Sequence, residues 1–246
     1  ELMFIFFVGS IVMRAAGCTI NDLWDKDIDK KISRTQKRPI ASGEISILEA
    51  FIFLSIMLLI GLLCLIQLDI ETWIIALSSI PLVIIYPLAK RFTKWPQFFL
   101  GFTFSWSIPT AWSASGMPWE WGVFTMYVAT VFWVVGYDTI YGCQDSNEDE
   151  FHGIKNSAVS AKKFLIKFVA LIYCFTICLL IVSGIALNTS YFWYLGVLIV
   201  TIHFIFQIYK LKYLNENSTI AIFKSNRTCL LYTSPSPRDR TRSRMP

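Results

Sequence analysis

Seven apolar stretches, each long enough to cross a membrane, constrain the fold of this chain more than any other feature. They cover approximately residues 2–20, 48–68, 72–89, 97–115, 121–143, 164–187 and 191–209. A helix of about 20 apolar residues crosses a hydrocarbon core ~30 Å thick. Because a backbone exposed to lipid must satisfy its own hydrogen bonds, such stretches form helices there. The sequence therefore predicts an all-α, polytopic transmembrane helix bundle with seven spans.

The composition excludes several other classes of protein. Hydrophobic residues make up 55% of the 246 residues and charged residues 16%, whereas soluble domains carry about 25% charged residues. These values exclude a soluble enzyme and a disordered chain. The six cysteines form no CxxC pair and lie mostly in apolar runs, so we expect small buried hydrophobes rather than a disulfide framework. The net charge of +5 resides in loops between spans, which does not indicate a nucleic-acid partner.

The loops between the spans alternate between long and short. The long loops cover about residues 25–46, 90–96, 145–163 and 210–227, and the short ones 69–71, 115–120 and 188–190. Lysine and arginine occur throughout the long loops and are absent from the short ones. The positive-inside rule therefore predicts that the long loops face the cytoplasm, or the matrix of a mitochondrion.

Two acidic clusters lie at the ends of the first and fifth apolar stretches, at the same predicted membrane face. They hold nine of the 17 acidic residues of the chain. Spacings of three and four residues place side chains on one helical face. The residues that can converge in this way are Asn21, Asp22, Asp25 and Asp29 in the first cluster, and Asp138, Tyr141, Asp145 and Asp149 in the second.

Carboxylates stacked on one face repel each other, and a divalent cation removes that repulsion. Hard oxygen ligands in this number suit Mg²⁺, which commonly bridges carboxylates and substrate phosphates. The two clusters together predict a paired Mg²⁺ site. An aspartate-based cation transporter is the alternative from another functional class. Transporter carboxylates normally lie near the middle of the bilayer, however, whereas these lie at span ends beside basic loops.

Four runs of sequence resemble the UbiA-type intramembrane prenyltransferases, and most closely those that act on 4-hydroxybenzoate in ubiquinone biosynthesis. The runs are MRAAGCTINDLWDKDIDKKISRTQKRPIASGEIS, YPLAKRFTKWPQFFLGFTFSWS, GYDTIYGCQDSNEDEFHGIKNSA and FKSNRT. The third run departs from the family pattern, which commonly continues as Gly-Xaa-Lys-Ser-Thr-Ala where this chain has GIKNSA. The resemblance implies a nine-helix bundle around a central cavity, so we expect one helix to be missing at each end of this chain. Residues 1–228 are then the membrane domain, and residues 229–246 a non-native or disordered tail.

The resemblance also implies a role for individual residues. The expected Mg²⁺ ligands are Asp22, Asp25, Asp29, Asp138, Asp145 and Asp149, and the expected catalytic residues among them are Asp25, Asp138 and Asp145. Asp138 or the released diphosphate is the expected base. The expected substrate-binding residues are Asn21, Arg14, Arg34, Arg38, Lys90, Arg91, Tyr141 and Lys155. Of these, Lys90 and Arg91 are candidates for the carboxylate of the aromatic substrate, with Arg91 favoured for its bidentate geometry.

The implied activity is Mg²⁺-dependent transfer of a polyprenyl group from polyprenyl diphosphate to the ring carbon ortho to the hydroxyl of 4-hydroxybenzoate. A related enzyme with another acceptor, such as haem, homogentisate or a naphthoate, is the alternative within the family. The expected partners are these two substrates and the lipid bilayer, with no nucleic acid. The Ile-, Lys- and Phe-rich composition indicates an AT-rich genome, so we expect a bacterial plasma membrane, with the mitochondrial inner membrane as the alternative.

Overall fold

The structure is a computed structural model that describes residues 1–31, 35–144, 146, 151, 155–212, 219 and 221–226, without the side chains of Lys90 and Arg91. The elements in these ranges are helices. In chain order they are α1 (Leu2–Asp29), α2 (Pro39–Ser42), α3 (Ile47–Leu65), α4 (Ile70–Leu77), α5 (Ile80–Phe92), α6 (Pro96–Ser105), α7 (Ser107–Ala114), α8 (Trp121–Gly142), α9 (Ser157–Ala161), α10 (Leu165–Ala186) and α11 (Tyr191–Leu211). A 3₁₀ turn, Lys162–Phe164, joins α9 to α10, and residues 221–226 form a last helical segment.

Six helical stretches of the described chain are long and apolar enough to cross a membrane, which confirms the predicted helical membrane protein. They are Leu2–Asp29, Ile47–Leu65, Ile70–Ala89, Trp121–Gly142, Ser157–Ala186 and Tyr191–Leu211. Their apolar side chains are widely exposed; Leu48 and Phe192, for example, are 70% and 78% exposed. Such surfaces are unfavourable in water and suit a lipid environment.

The predicted span at residues 97–115 is divided between two shorter helices, α6 and α7, with a break at Trp106. Pro109 explains the break, because it has no N–H to donate to the carbonyl of Ser105 and its ring crowds that carbonyl. Helix α6 therefore ends at Ser105, and neither half is long enough to count as a span by itself.

A second break separates α4 from α5. Trp106, the residue at the first break, donates a hydrogen bond to a carbonyl near this second break. The hydroxyl of Ser78 donates to the carbonyl of Ile75 at 2.6 Å, and the indole Nε1 of Trp106 donates to the same carbonyl at 2.8 Å. The carbonyl released from the helix ladder is therefore satisfied by two side-chain donors. The breaks in the two adjacent stretches thus support each other.

Helix α1 is longer than a membrane crossing needs. Its 28 residues extend about 42 Å at ~1.5 Å per residue, compared with a hydrocarbon core ~30 Å thick. The predicted span ended at residue 20, but the helix continues through Asp29. The extra turns carry the first acidic cluster out of the apolar span while keeping it on a rigid helix.

The chain divides into two compact units. The first consists of Glu1–Thr93 and Phe102–Trp119, and the second of Lys94–Gly101 and Glu120–Pro246. In the first unit α1 packs against α3, with the small side chains of Ala16 and Ala50 buried.

In the second unit α8, α10 and α11 surround an apolar core. The ring of Tyr173 stacks on that of Phe204 with centroids 3.8 Å apart, and Trp133 meets Phe204 edge-on at 5.4 Å. Gly136 is required where α8 and α10 approach closely, because a Cβ at that position would lie 2.3 Å from the Tyr173 ring. This packing holds the end of α8, which carries the second acidic cluster, against its neighbours.

Candidate active site

The first acidic face occupies the last turns of α1. Asp22, Asp25 and Asp29 follow each other at spacings of three and four residues, so the helix places them on one side. Asp25 is 0% exposed and Asp29 4% exposed, whereas Asp27, on the opposite side, is exposed. The spacing argument therefore predicted correctly which carboxylates are turned away from solvent.

The guanidinium of Arg38 lies between two of these carboxylates. Its Nη1 donates to Oδ1 of Asp22 at 2.8 Å and to Oδ2 of Asp29 at 2.9 Å. The local fold returns Arg38 to α1, because the hydroxyl of Thr35 donates to the carbonyl of Asp29 at 3.0 Å and the Arg38 amide donates to the carbonyl of Thr35 at 2.9 Å. Pro39 then begins α2, with the fixed φ that suits a first helical position. The segment after α1 thus supplies the acidic face with a cation.

The donor chemistry of this face fits Mg²⁺. It offers carboxylate oxygens, the hard ligands that Mg²⁺ prefers, and Asp22 and Asp29 already accommodate one positive group between them. Within the described ranges, no group of three or more His, Cys, Asp or Glu side chains could hold a metal ion by itself. Because Mg²⁺ usually retains waters and is completed by substrate phosphates, two carboxylates and a diphosphate would suffice.

Arg14 and Asn21 lie on the same side of α1 as Asp25, by the 3.6-residue period of the helix. Arg14 is exposed and Asn21 half-buried. Neither side chain forms a hydrogen bond or ion pair with the part of the chain that the structure describes. Their proposed roles in binding substrate stay predictions.

The second acidic cluster begins on the last turns of α8. Asp138 is half-buried and forms no hydrogen bond or ion pair with other described residues. Tyr141 lies one turn later on the same face, and its ring centroid is 4.5 Å from that of Phe223 in the final helical segment. Burial raises the pKa of the Cys143 thiol, just beyond α8, to about 11, so this thiol stays protonated at neutral pH. The Cys143 thiol therefore supplies no anion at the end of α8.

Several predicted site residues fall outside the described ranges. These are Arg34, Asp145 and Asp149, together with the side chains of Lys90 and Arg91 at the end of α5. Lys155 is described and half-buried, immediately before α9. The roles assigned to all six stay predictions.

Sequence reasoning missed the buried polar residues beside the second cluster. Gln97, Thr139, Asn156 and Ser157 are each at most 7% exposed and are joined by hydrogen bonds. It also assigned no partner to His203, whose Nε2 lies 2.8 Å from Nε2 of Gln207 on α11. For Gln97 the available signal was its position directly after Trp-Pro, and for Asn156 it was an asparagine in place of the serine of the family pattern. Only the fold brings these two side chains together.

Comparison with known proteins assigns the chain to a family. Residues 1–230 match the UbiA prenyltransferase family. This chain belongs to that family. The match covers all of the described residues, and the predicted membership is therefore confirmed.

Named members of the UbiA family are similar to this chain at about 40% identity. The mitochondrial 4-hydroxybenzoate polyprenyltransferase of Aedes aegypti is 40% identical over 227 residues, which cover 90% of this chain and 51% of that protein. The 4-hydroxybenzoate octaprenyltransferase of Legionella pneumophila (strain Paris) is 38% identical over 195 residues, or 79% of this chain and 69% of that protein. This chain spans about half the length of the insect relatives that it matches.

Solved structures of UbiA homologues share the fold. The apo structure of a homologue from Aeropyrum pernix K1 superposes with a TM-score of 0.76 at 22% identity, covering 93% of this chain and 88% of that one. A homologue from Archaeoglobus fulgidus bound to GPP and Mg²⁺ gives a TM-score of 0.75 at 16% identity, covering 94% and 85%. The all-helical architecture is thus that of the UbiA family.

Proposed function

We propose that this protein transfers a polyprenyl group from polyprenyl diphosphate to the carbon ortho to the hydroxyl of 4-hydroxybenzoate, in ubiquinone biosynthesis. The observation that carries the proposal is the acidic face of α1, where Asp25 is buried between two carboxylates that share the Arg38 guanidinium. The names of the relatives at about 40% identity support the choice of acceptor.

Asp22, Asp25 and Asp29 are the proposed ligands through which the first cluster holds Mg²⁺ and the diphosphate. Mg²⁺ supplies neutralisation of the negative charge that develops on the leaving diphosphate. The homologue from Archaeoglobus fulgidus, which is bound to GPP and Mg²⁺, supports this assignment. In this chain Arg38 already donates two charge-assisted hydrogen bonds to oxygen anions, so its guanidinium is suited to donate to diphosphate oxygens as well.

Asp138 is the proposed base of the reaction. The allylic C–O bond to the diphosphate breaks, the ring carbon of 4-hydroxybenzoate forms the new C–C bond, and the ring then loses a proton. Asp138 is half-buried and has no hydrogen-bond partner among the described residues, which leaves its carboxylate able to accept that proton. The released diphosphate is the alternative acceptor.

The remaining predicted residues complete the proposal. Asn21, Arg14, Arg34, Tyr141 and Lys155 are proposed to bind the prenyl diphosphate, and Asp145 and Asp149 to extend the second metal-binding cluster. Lys90 and Arg91 are proposed to bind the carboxylate of 4-hydroxybenzoate. The apolar surroundings exclude water, which would otherwise capture the allylic electrophile as an alcohol.

We place this activity in an inner membrane, either of a bacterium or of a mitochondrion, with the basic loops facing the cytoplasm or the matrix. Relatives of both kinds match this chain at similar identity. Residues 1–228 are the proposed catalytic domain, and residues 229–246 a tail that takes no part in it.

The test is a prenyl-transfer assay on membranes that contain the full-length protein. Radiolabelled 4-hydroxybenzoate and a polyprenyl diphosphate should give a lipid-extractable product that requires Mg²⁺, and Asp27→Asn should give the same yield. Homogentisate, a naphthoate and haem serve as competing acceptors. Product from one of these alone would reassign the substrate, and Mg²⁺ flux without any product would favour the transporter instead.

A further inference from the structure

A buried cluster of uncharged polar groups lies beside the end of α8, within the second unit. We call it the amide clamp; it consists of Gln97, Thr139, Gly142, Asn156 and Ser157. Gln97 belongs to the first turn of α6, Thr139 and Gly142 to the last turns of α8, and Asn156 and Ser157 to the start of α9. The clamp therefore joins three separate segments, of which the one that carries Gln97 is 59 residues from Asn156 in sequence.

The two amide side chains of the clamp use both of their functional groups. Gln97 donates through Nε2 to Oδ1 of Asn156 at 2.9 Å and accepts at Oε1 from the amide of Ser157 at 3.0 Å. Asn156 donates through Nδ2 to the carbonyl of Gly142 at 3.2 Å, and its Oδ1 also accepts from the amide of Ala158 at 3.0 Å. Buried amides satisfied in this way specify one arrangement, because any shift leaves polar groups unpaired.

Two further contacts fix the end of α8. The hydroxyls of Thr139 and Ser157 lie 2.7 Å apart, and both residues are 0% exposed. A Cβ on Gly142 would lie 2.7 Å from both Nδ2 and Oδ1 of Asn156, so the close approach requires glycine. The last carbonyls of a helix need partners from outside its own hydrogen-bond ladder, and at the end of α8 the carbonyl of Gly142 accepts from Nδ2 of Asn156.

Three of the four clamp residues of α8 and α9 are chain neighbours of a proposed site residue. Thr139 follows Asp138, Gly142 follows Tyr141, and Asn156 follows Lys155. On a helix or a tight turn, adjacent residues point in different directions. The clamp can therefore hold the backbone from its buried side while the neighbouring side chains point away from it.

We propose that the amide clamp positions Asp138, Tyr141 and Lys155 for the prenyl diphosphate; this rests on the proposed function. Its members are positioning residues and do not touch the substrate themselves. Groups that orient the ligands of a metal or substrate affect affinity strongly although they make no direct contact with it, typically by about 10–100-fold.

The chain offers a matched pair of threonines to test this proposal. Thr139 and Thr176 are both 0% exposed and both donate to the carbonyl four residues earlier, at 2.7 and 3.0 Å. Only Thr139 also reaches Ser157. Comparison of Thr139→Val with Thr176→Val therefore isolates the clamp contact from the cost of losing a buried hydroxyl. Thr139→Ser, which retains the hydroxyl, is the rescue variant. Gln97→Met removes both hydrogen bonds of the Gln97 side-chain amide with little change in shape.

Two measurements on the purified full-length protein are decisive. The first is the equilibrium binding of a polyprenyl thiodiphosphate, an unreactive substrate analogue, in the presence of Mg²⁺. Thr139→Val and Gln97→Met should raise its Kd by about tenfold, Thr139→Ser should restore it, and Thr176→Val should leave it within about twofold. The second is hydrogen exchange without ligand, in which the amides of the last turn of α8 should exchange about fivefold faster in Thr139→Val than in Thr176→Val.

The outcomes separate this inference from the proposed function. If the parent protein binds the analogue and Thr139→Val and Gln97→Met bind it equally well, the clamp has no positioning role. Equal losses in Thr139→Val and Thr176→Val would also overturn the inference, because they would indicate a general loss of stability. A parent protein that does not bind the analogue at all would overturn the proposed function and, with it, this inference.

Discussion

The two regions that carry the acidic clusters are built on different physical principles. At the end of α1, charges are held by an opposite charge, since Asp22 and Asp29 share the guanidinium of Arg38. At the end of α8, the structure is held by uncharged amides and hydroxyls, and the Asp138 carboxylate takes no part in that network. At the end of α1, Asp22 and Asp29 are paired with a cation. At the end of α8, Asp138 has no hydrogen-bond or ion-pair partner among the described residues.

The exposure of the two networks differs as well. The side chains of Arg38 and Asp22 are 32% and 25% exposed, so water and ions can reach this ion pair. The polar side chains of the amide clamp are at most 7% exposed. In an exposed ion pair, another cation can replace the guanidinium as the partner of the carboxylates. Breaking a buried network of neutral groups costs more free energy, because its polar atoms are left unpaired. The difference indicates that α1 supplies an adaptable ionic face and α8 a fixed scaffold.

The largest expected effect comes from replacing a buried carboxylate of the ionic face. Asp25→Asn keeps the shape of the side chain and removes its charge, and prenyl transfer should fall by about 10²–10³-fold because electrostatic stabilisation of the diphosphate is lost. Asp27→Asn, on the exposed side of the same helix, is the control and should retain activity within about twofold. Full activity of Asp25→Asn in a 4-hydroxybenzoate prenylation assay would exclude a role for the α1 face.

The next effect tests the close packing of the second unit. Gly136→Ala would place a Cβ 2.3 Å from the Tyr173 ring, which is itself stacked on Phe204, so we expect a lower Tm by about 4–8 °C. Gly9→Ala is the control in the first unit, where a Cβ meets no atom within 4 Å. Its Tm should be unchanged or slightly higher because alanine favours the helix. Equal Tm values for the two variants in a thermal unfolding assay would contradict the assigned packing.

A smaller effect tests whether the ionic face exchanges its cation. Arg38→Gln leaves the carboxylates of Asp22 and Asp29 without their shared guanidinium, so the Tm without Mg²⁺ should fall by about 2–4 °C. Because a bound divalent cation replaces the lost charge, added Mg²⁺ should raise the Tm of Arg38→Gln more than that of the parent. Lys37→Gln, which changes an exposed neighbour, should behave like the parent in both conditions. A response to Mg²⁺ that is the same in all three proteins would count against cation exchange at this face.

The smallest effect is expected at an exposed contact far from either cluster in sequence. Trp119 donates through Nε1 to Oε1 of Glu71 at 2.7 Å, and Trp119 is 49% exposed. Glu71→Gln should change the free energy of unfolding by less than about 1 kcal/mol, because exposed polar contacts contribute little. A denaturant titration that gave a loss as large as that of Gly136→Ala would mean that this contact, and not the core, limits stability.

Much of the fold could be predicted from the sequence because membranes impose simple rules. Apolar length predicted the long helices, including the stretches at α3, α8, α10 and α11. The stretch expected at residues 97–115 forms two consecutive helices, α6 and α7, instead of one, since hydropathy does not register the missing N–H of Pro109. The end of α1 was also placed too early, because a hydropathy boundary marks where the lipid ends and not where the helix ends.

The site could be predicted only where one helix carries it. Spacing along α1 identified Asp22, Asp25 and Asp29 and separated them from Asp27. Spacing could not find the amide clamp, because Gln97 and Asn156 are 59 residues apart and meet only in the folded chain. Uncharged polar residues between apolar stretches give no periodic signal, so contacts of this kind require the structure.

The central claim is that the acidic face of α1 holds a divalent cation for the prenyl diphosphate, and Mn²⁺, a spectroscopic substitute for Mg²⁺, tests it most directly. In an electron paramagnetic resonance titration with a polyprenyl thiodiphosphate present, the parent and Asp27→Asn should bind Mn²⁺ and reduce the signal of the free ion. Asp25→Asn should bind at least about tenfold more weakly. Equal binding by Asp25→Asn and the parent, or no binding by the parent, would contradict the claim.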